Sequence, residues 1–149
     1  FLLGVPKNPS SRLVVRLLSE ISILLGMFSG ERFSYARALV DPGLRYSIIL
    51  RDIAEDLRCF EKPDDLVEEI IKIKDSILKI KGLCRIDQGV LNGFIISIPV
   101  ILYVAEIISG EKNYESYIGR DIINAWALYI DPLKGLVISR FGRRITSLR

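Results

Sequence analysis

The chain has 149 residues, with 21 Lys and Arg against 18 Asp and Glu, two Cys and no His, for a formal charge of +3. Half of it is apolar and 26% is charged, which excludes a disordered tail or a disulfide-stapled miniprotein and suits one domain over 1–149 with a sizeable core. Without His, no Ser-His-Asp or Cys-His nucleophile can be assembled within the chain, and HExxH and Cys/His zinc sites are excluded with them.

The chain opens at Phe1 rather than Met, as a fragment or a processed product does, and Phe1 to Val5 is too short for the apolar core of a signal peptide. Asn8 and Pro9 predict a cap and a first helical position. Val14, Leu17, Leu18, Ile21, Leu24, Leu25 and Phe28 then recur at helical spacing, with Gly30 as the stop. Phe33 to Val40 reads as a short helix carrying Tyr35 and Arg37, which packing and a surface charge explain. Asp41-Pro42-Gly43 reads as a stop followed by a fresh cap-plus-proline start. The next predicted helix runs to about Phe60 on an inner stripe of Tyr46, Ile49, Leu50, Ile53, Leu57 and Phe60, with Arg51 and Glu55 placed to pair outside.

Lys62-Pro63-Asp64 breaks the pattern, and a helix is predicted over 64–81 on Leu66, Ile70, Ile73, Ile77 and Ile80. Its acidic start, Asp64, Asp65, Glu68 and Glu69, and its later lysines complement a helix dipole, which accounts for the acids without a bound metal. Residues 88–105 carry no charge. That run reaches the lower edge of a membrane-spanning length, but Asn92, two glycines, Pro99 and the following Glu106 favour a central helix, kinked at Pro99, wrapped by amphipathic ones. A further helix is predicted from about Asn113 to Ile130 on Ile118, Ile122, Ala125, Trp126 and Tyr129. Beyond Asp131-Pro132 the segment is ambiguous, with Gly135 to Ser139 open to strand or helix. The expected fold class is therefore all-α, a single bundle of about five or six helices.

Cys59 and Cys84 stand 25 positions apart with no CxxC partner, and reduced, buried thiols are the expected state, with pairing as the alternative. No GxGxxG after a strand, no GxxxxGK[ST] and no EF-hand loop is present. Ile occurs 23 times and Leu 20, while Gln, Met and Thr occur once each, a usage expected of a thermophilic, archaeal source. No catalytic residue, cofactor or metal is expected.

Lys134, Arg140, Arg143, Arg144 and Arg149 follow Asp131 with no acid among them, so the whole positive excess lies in the tail and the rest of the chain is net negative. These five, extended by Arg12 and Arg16 if the chain ends meet, are the candidate nucleic-acid-binding residues, since Arg forks match phosphate and Phe141 can stack on a base. An acidic protein partner and an anionic membrane surface are the competing readings of the same charges.

Arg16-Leu17-Leu18, Leu24-Leu25-Gly26-Met27-Phe28, Phe33 to Leu39 and the closing Gly135 to Ile145 resemble the small subunit of archaeal type I-A CRISPR effector complexes. The resemblance implies a non-catalytic helical subunit that joins other protein subunits and helps to hold DNA or RNA during RNA-guided interference. A cytoplasmic location is expected, and a membrane partner is disfavoured. The alternatives are a protein-interaction module without nucleic acid and a small membrane protein using residues 88–105.

Overall fold

A computed structural model describes residues 21–131 and 133–145. The chain is built from strands. β1 (Ile21–Ser29) and β2 (Arg32–Val40) form a long antiparallel hairpin, and β3 (Ile48–Leu50) leads into the short helix α1 (Arg51–Asp56). β4 (Ile70–Ile73), β5 (Ser76–Ile86), β6 (Gln88–Leu91), β7 (Phe94–Ile96), β8 (Val100–Ser109) and β9 (Ser116–Ile118) follow. The second short helix, α2 (Arg120–Ala125), precedes β10 (Leu128–Asp131), β11 (Leu136–Ser139) and β12 (Arg143–Arg144). Ten strands join in the order β12-β7-β6-β1-β2-β9-β3-β8-β5-β4, while β10 and β11 make a separate pair.

The all-α bundle is thereby overturned, and the reason is local. Isoleucine-rich runs satisfy a helical spacing by chance, while their β-branched side chains fit a pleated surface better. In β5, Leu78, Ile80, Cys84 and Ile86 are buried and alternate with the more exposed Lys79, Lys81 and Arg85, a period of two that the helical reading of 64–81 misses. In β1 the expected helical stripe splits, for Leu25 is buried at 1% exposure and Leu24 is exposed at 63%. The uncharged run 88–105 is no helix either. Asn92 and Gly93, both at positive φ, make the two-residue turn between β6 and β7, the Asn-Gly hairpin signature. Among the described residues no helix is long and apolar enough to cross a membrane. Of the predicted helix over 43–60 only Arg51–Asp56 is helical, with Arg51 Nε 3.4 Å from Glu55.

Two apolar clusters cover the two faces of the central strands. Ala38, Val40 and Ile49 enter one, with Leu25, Leu102, Ile118 and Trp126, and Leu39, Ile48 and Leu50 enter the other, with Leu78, Ile80 and Tyr117. Strands buried on both faces read as continuous apolar runs, which is what hid β2 and β3 in the sequence. Cys59 and Cys84 are joined in a disulfide, correcting the expectation of reduced thiols. It ties the segment after α1 to β5, beside the Glu61–Leu83 backbone bridge.

Candidate active site

β9 lies between β2 and β3, parallel to the first and antiparallel to the second, so the connection 41–47 must cross over the end of β9. Asp41 begins the crossing. Its N–H donates to Ile118 O at 2.9 Å, and Leu44 N–H donates back to Asp41 O at 3.0 Å, closing a turn with Pro42 and Gly43 at its centre. Asp at the first position, Pro at the second and a local side-chain bond are the chemistry of such a turn. Gly43 N–H donates to Asp41 Oδ1 at 2.9 Å, fixing the carboxylate over its own loop. Asp41 is half-buried, with Pro42 and Gly43 exposed beside it. It is therefore an oriented carboxylate within reach of solvent.

The far side of the crossing is clamped. Ser47, fully buried, donates from its N–H to Asp121 Oδ2 (3.1 Å) and from its Oγ to Asp121 Oδ1 (2.6 Å), and its Oγ accepts the Gly119 N–H (2.8 Å). Asp121 Oδ1 also accepts the Ile122 N–H, so that carboxylate is committed to the joint. Gly119 lets the loop pass, because a Cβ there would stand 2.8 Å from Leu44 O. Arg120 N–H donates to that same oxygen at 2.8 Å.

Leu44, Tyr46 and Ile48 leave the turn to line a cavity of about 450 Å³ whose other wall includes Leu66, Ile80 and Tyr103. Its lining is mainly apolar, with Arg45, Asp65 and Glu69 as charged members. The segment forming that outer wall is held by Glu68, which reaches Lys62 at 2.8 Å and Lys79 and Lys81 at 3.6 Å each. The Lys62 hydrogen bond, aided by the charges of Lys81 and Lys79, lowers the Glu68 carboxyl to about 2. Glu68 therefore serves lysines across a strand rather than a helix dipole. Two further cavities lie between Pro99 and Ala125 and beside Leu50 and Lys112. Among the described residues no group of three or more Cys, Asp or Glu side chains is placed to hold a metal ion.

The residues nominated from sequence lie elsewhere. Lys134 is in the turn joining β10 to β11, Arg140 follows β11, and Arg143 and Arg144 form β12, which pairs with β7 at the sheet edge, four strands from β2. All four are exposed, and the Arg144 guanidinium lies 5.8 Å from the Phe94 ring centroid. Arg12, Arg16 and Arg149 lie outside the described residues. Asp41 has the sequence pattern of a helix stop, but an Asp-Pro-Gly between the runs 36–40 and 47–50 is equally a strand-to-strand turn signal.

No protein-family model and no curated protein matches the chain. Among solved structures it is similar to the retroviral protease-like domain of Ddi1 from Leishmania major, with a TM-score of 0.56 and 20% identity over 82% of this chain and 89% of that one. This likeness replaces the helical CRISPR small subunit, whose non-catalytic, nucleic-acid-holding role rested on helical patterning that the strands remove. The chain has the mostly-β fold of a retroviral protease-like domain.

Proposed function

We propose that the chain is one half of a peptide hydrolase of the aspartic-protease kind, with Asp41 of each of two copies forming the catalytic pair. The observation that carries the reading is the Asp41 carboxylate, oriented by Gly43 on the crossover turn and open to solvent, on a fold similar to a retroviral protease-like domain. Aspartic proteases work with two carboxylates about 3 Å apart that share one proton. The ionised member takes a proton from water as the water oxygen attacks the peptide carbonyl carbon, and the protonated member donates to the carbonyl oxygen. As the C–N bond then breaks, the first member gives its proton to the leaving nitrogen and the second takes one from a hydroxyl of the adduct, releasing amine and carboxylic acid and restoring the shared proton. Asp121, the other carboxylate at this junction, is spent on Ser47 and Ile122, so the second member comes from a second chain. This chemistry uses no His, in keeping with the composition. The cavity beside the turn supplies a recess for an apolar side chain of the bound peptide.

The test is cleavage of an unfolded protein substrate, read by mass spectrometry across acid to neutral pH. Asp41→Asn should lower the rate by about 10³-fold or more while leaving thermal stability nearly unchanged. Equal cleavage by wild type and Asp41→Asn, or none by either, overturns the reading.

A further inference from the structure

Both sheets of the described residues end in edges, and all but one of those edges are protected. At the ends of the large sheet stand β12, which is Arg143-Arg144, and β4, which carries the exposed Lys72. Charges of this kind keep an edge from pairing with another chain. The β10–β11 pair has two more edges. Arg140 N–H donates to Ala127 O at 3.2 Å, so the mutually bonded pairs of that ladder are Tyr129–Ile138 and Asp131–Leu136, and the residues between them turn N–H and C=O outward. On β11 the outward Val137 O accepts Asn92 Nδ2 at 2.8 Å, and Ser139 O accepts the Gly142 N–H at 3.3 Å. On β10 the outward residues are Leu128 and Ile130, and among the described residues neither has a backbone bond on that side. β10 reads Leu-Tyr-Ile-Asp, with no proline, lysine or bulge to blunt it.

A second copy fits this edge. Identical edges related by a two-fold axis are self-complementary. An axis through Tyr129 sets Leu128 of each copy against Ile130 of the other, closes the bonds of both pairs, and makes one continuous sheet of order β11-β10-β10-β11. On its outer face Tyr129, 59% exposed, meets its own counterpart, with Ile138 beside each, an aromatic and β-branched row of the kind that stabilises strand pairing. The charges agree as well. Asp131 falls in line with the partner's Ala127, and the partner's Arg140 lies abreast of that small residue. Asp131 Oδ1 is engaged by the N–H groups of Leu133 and Lys134, which leaves Oδ2 to accept from the arginine. Arg140 forms no salt bridge within its own chain among the described residues. The hairpin is tied to the proposed catalytic turn, since Ile118 O holds the Asp41 N–H and α2, clamped to the crossing through Asp121, leads from there to β10.

We infer that two copies of this chain associate by antiparallel pairing of their β10 edges about a two-fold axis at Tyr129. The choice of a second copy as occupant rests on the Asp41 reading, whereas the open edge and its register do not. Pairing there holds the two Asp41 turns in one fixed relation.

The experiment joins sedimentation equilibrium of the whole chain, over roughly a hundred-fold range of concentration, to cysteine cross-linking with diamide. Wild type should show a monomer–dimer equilibrium. Tyr129→Cys should give a cross-linked dimer, because residues facing each other at that axis have Cα atoms about 4.5 Å apart, within the span of a disulfide. Ile138→Cys should not, because its counterpart lies roughly 14 Å away across the new sheet. Cys59 and Cys84 are already joined and do not compete. Tyr129→Lys, which sets like charges opposite each other, should weaken the dimer at least about ten-fold. Far-ultraviolet circular dichroism checks that each variant keeps its strands. A wild type that stays monomeric overturns the inference, as does a dimer that Ile138→Cys links as readily as Tyr129→Cys. The dyad is judged separately. Linkage at Tyr129 without any peptide cleavage supports the pairing and overturns the Asp41 reading, and cleavage abolished by Asp41→Asn with no link at Tyr129 does the reverse.

Discussion

Asp41 owes its placement to one group far from it in the sequence and its orientation to one beside it. Ile118 O holds its backbone, and Gly43 holds its carboxylate. The joint between Ser47 and Asp121 is the most exacting part of the crossing, since the buried Ser47 gives both its N–H and its hydroxyl to the half-buried Asp121 carboxylate. Ser47→Ala should therefore cost about 1–3 kcal/mol, because it removes the hydroxyl bond to Asp121 Oδ1 and leaves the buried Gly119 N–H without its acceptor, while the backbone bond to Asp121 remains. Urea denaturation measures that cost, and a change below about 0.5 kcal/mol would show that water replaces the hydroxyl. Gly119→Ala should cost a similar ~1–3 kcal/mol, because the added methyl meets the backbone at Leu44 and Tyr46 rather than a flexible side chain. In the peptide-cleavage assay it should also lose activity, since the displaced backbone is the one that carries Asp41.

At the scale of elements, two cross-links hold the outer wall of the apolar cavity. The first is the Cys59–Cys84 disulfide, which closes a 25-residue separation and should contribute roughly 3 kcal/mol by restricting the unfolded chain. Denaturant midpoints with and without a reductant, compared with Cys59→Ser/Cys84→Ser, should agree on that loss. The second is Glu68 with its three lysines, whose carboxyl lies below the ordinary value of 4.5, at about 2. A carboxyl lowered in the folded state binds fewer protons than in the unfolded chain, so its contribution is complete above about 4.5 and fades as the pH falls toward 2. Thermal melts between those limits should show Glu68→Gln losing less stability on acidification than wild type. A parallel decline in both proteins would remove Glu68 from the account of acid sensitivity.

At the scale of the whole molecule, the proposed dyad makes activity a property of pairs. Mixing wild type with Asp41→Asn at equal concentration and fixed total should leave about a quarter of the homogeneous activity, since only one pairing in four joins two intact chains. A decline to one half instead would assign catalysis to single chains. Some of the local chemistry is legible in the sequence: Asp41-Pro42-Gly43 breaks the chain where the structure turns it and Arg51 pairs with Glu55 as spaced, whereas the Asn92-Gly93 turn falls inside the run expected to be a central helix. The strand identity is not legible, because Ile70, Ile73, Ile77 and Ile80 match a helical repeat as well as the edges of two paired strands. The site was hidden for the same reason, since Asp41, Ser47, Gly119 and Asp121 converge only once β9 is inserted between β2 and β3.

By itself the sequence determined which chemistries His and clustered Cys cannot supply, where the cations gather, and where proline and glycine must interrupt regular structure; these depend on residue type and short-range sterics. Tertiary structure alone decided between helix and strand, whether Cys59 meets Cys84, and which carboxylate stands half-buried on a clamped turn. Those outcomes depend on pairing between segments many residues apart, and no local period of hydrophobicity encodes the partner of a strand.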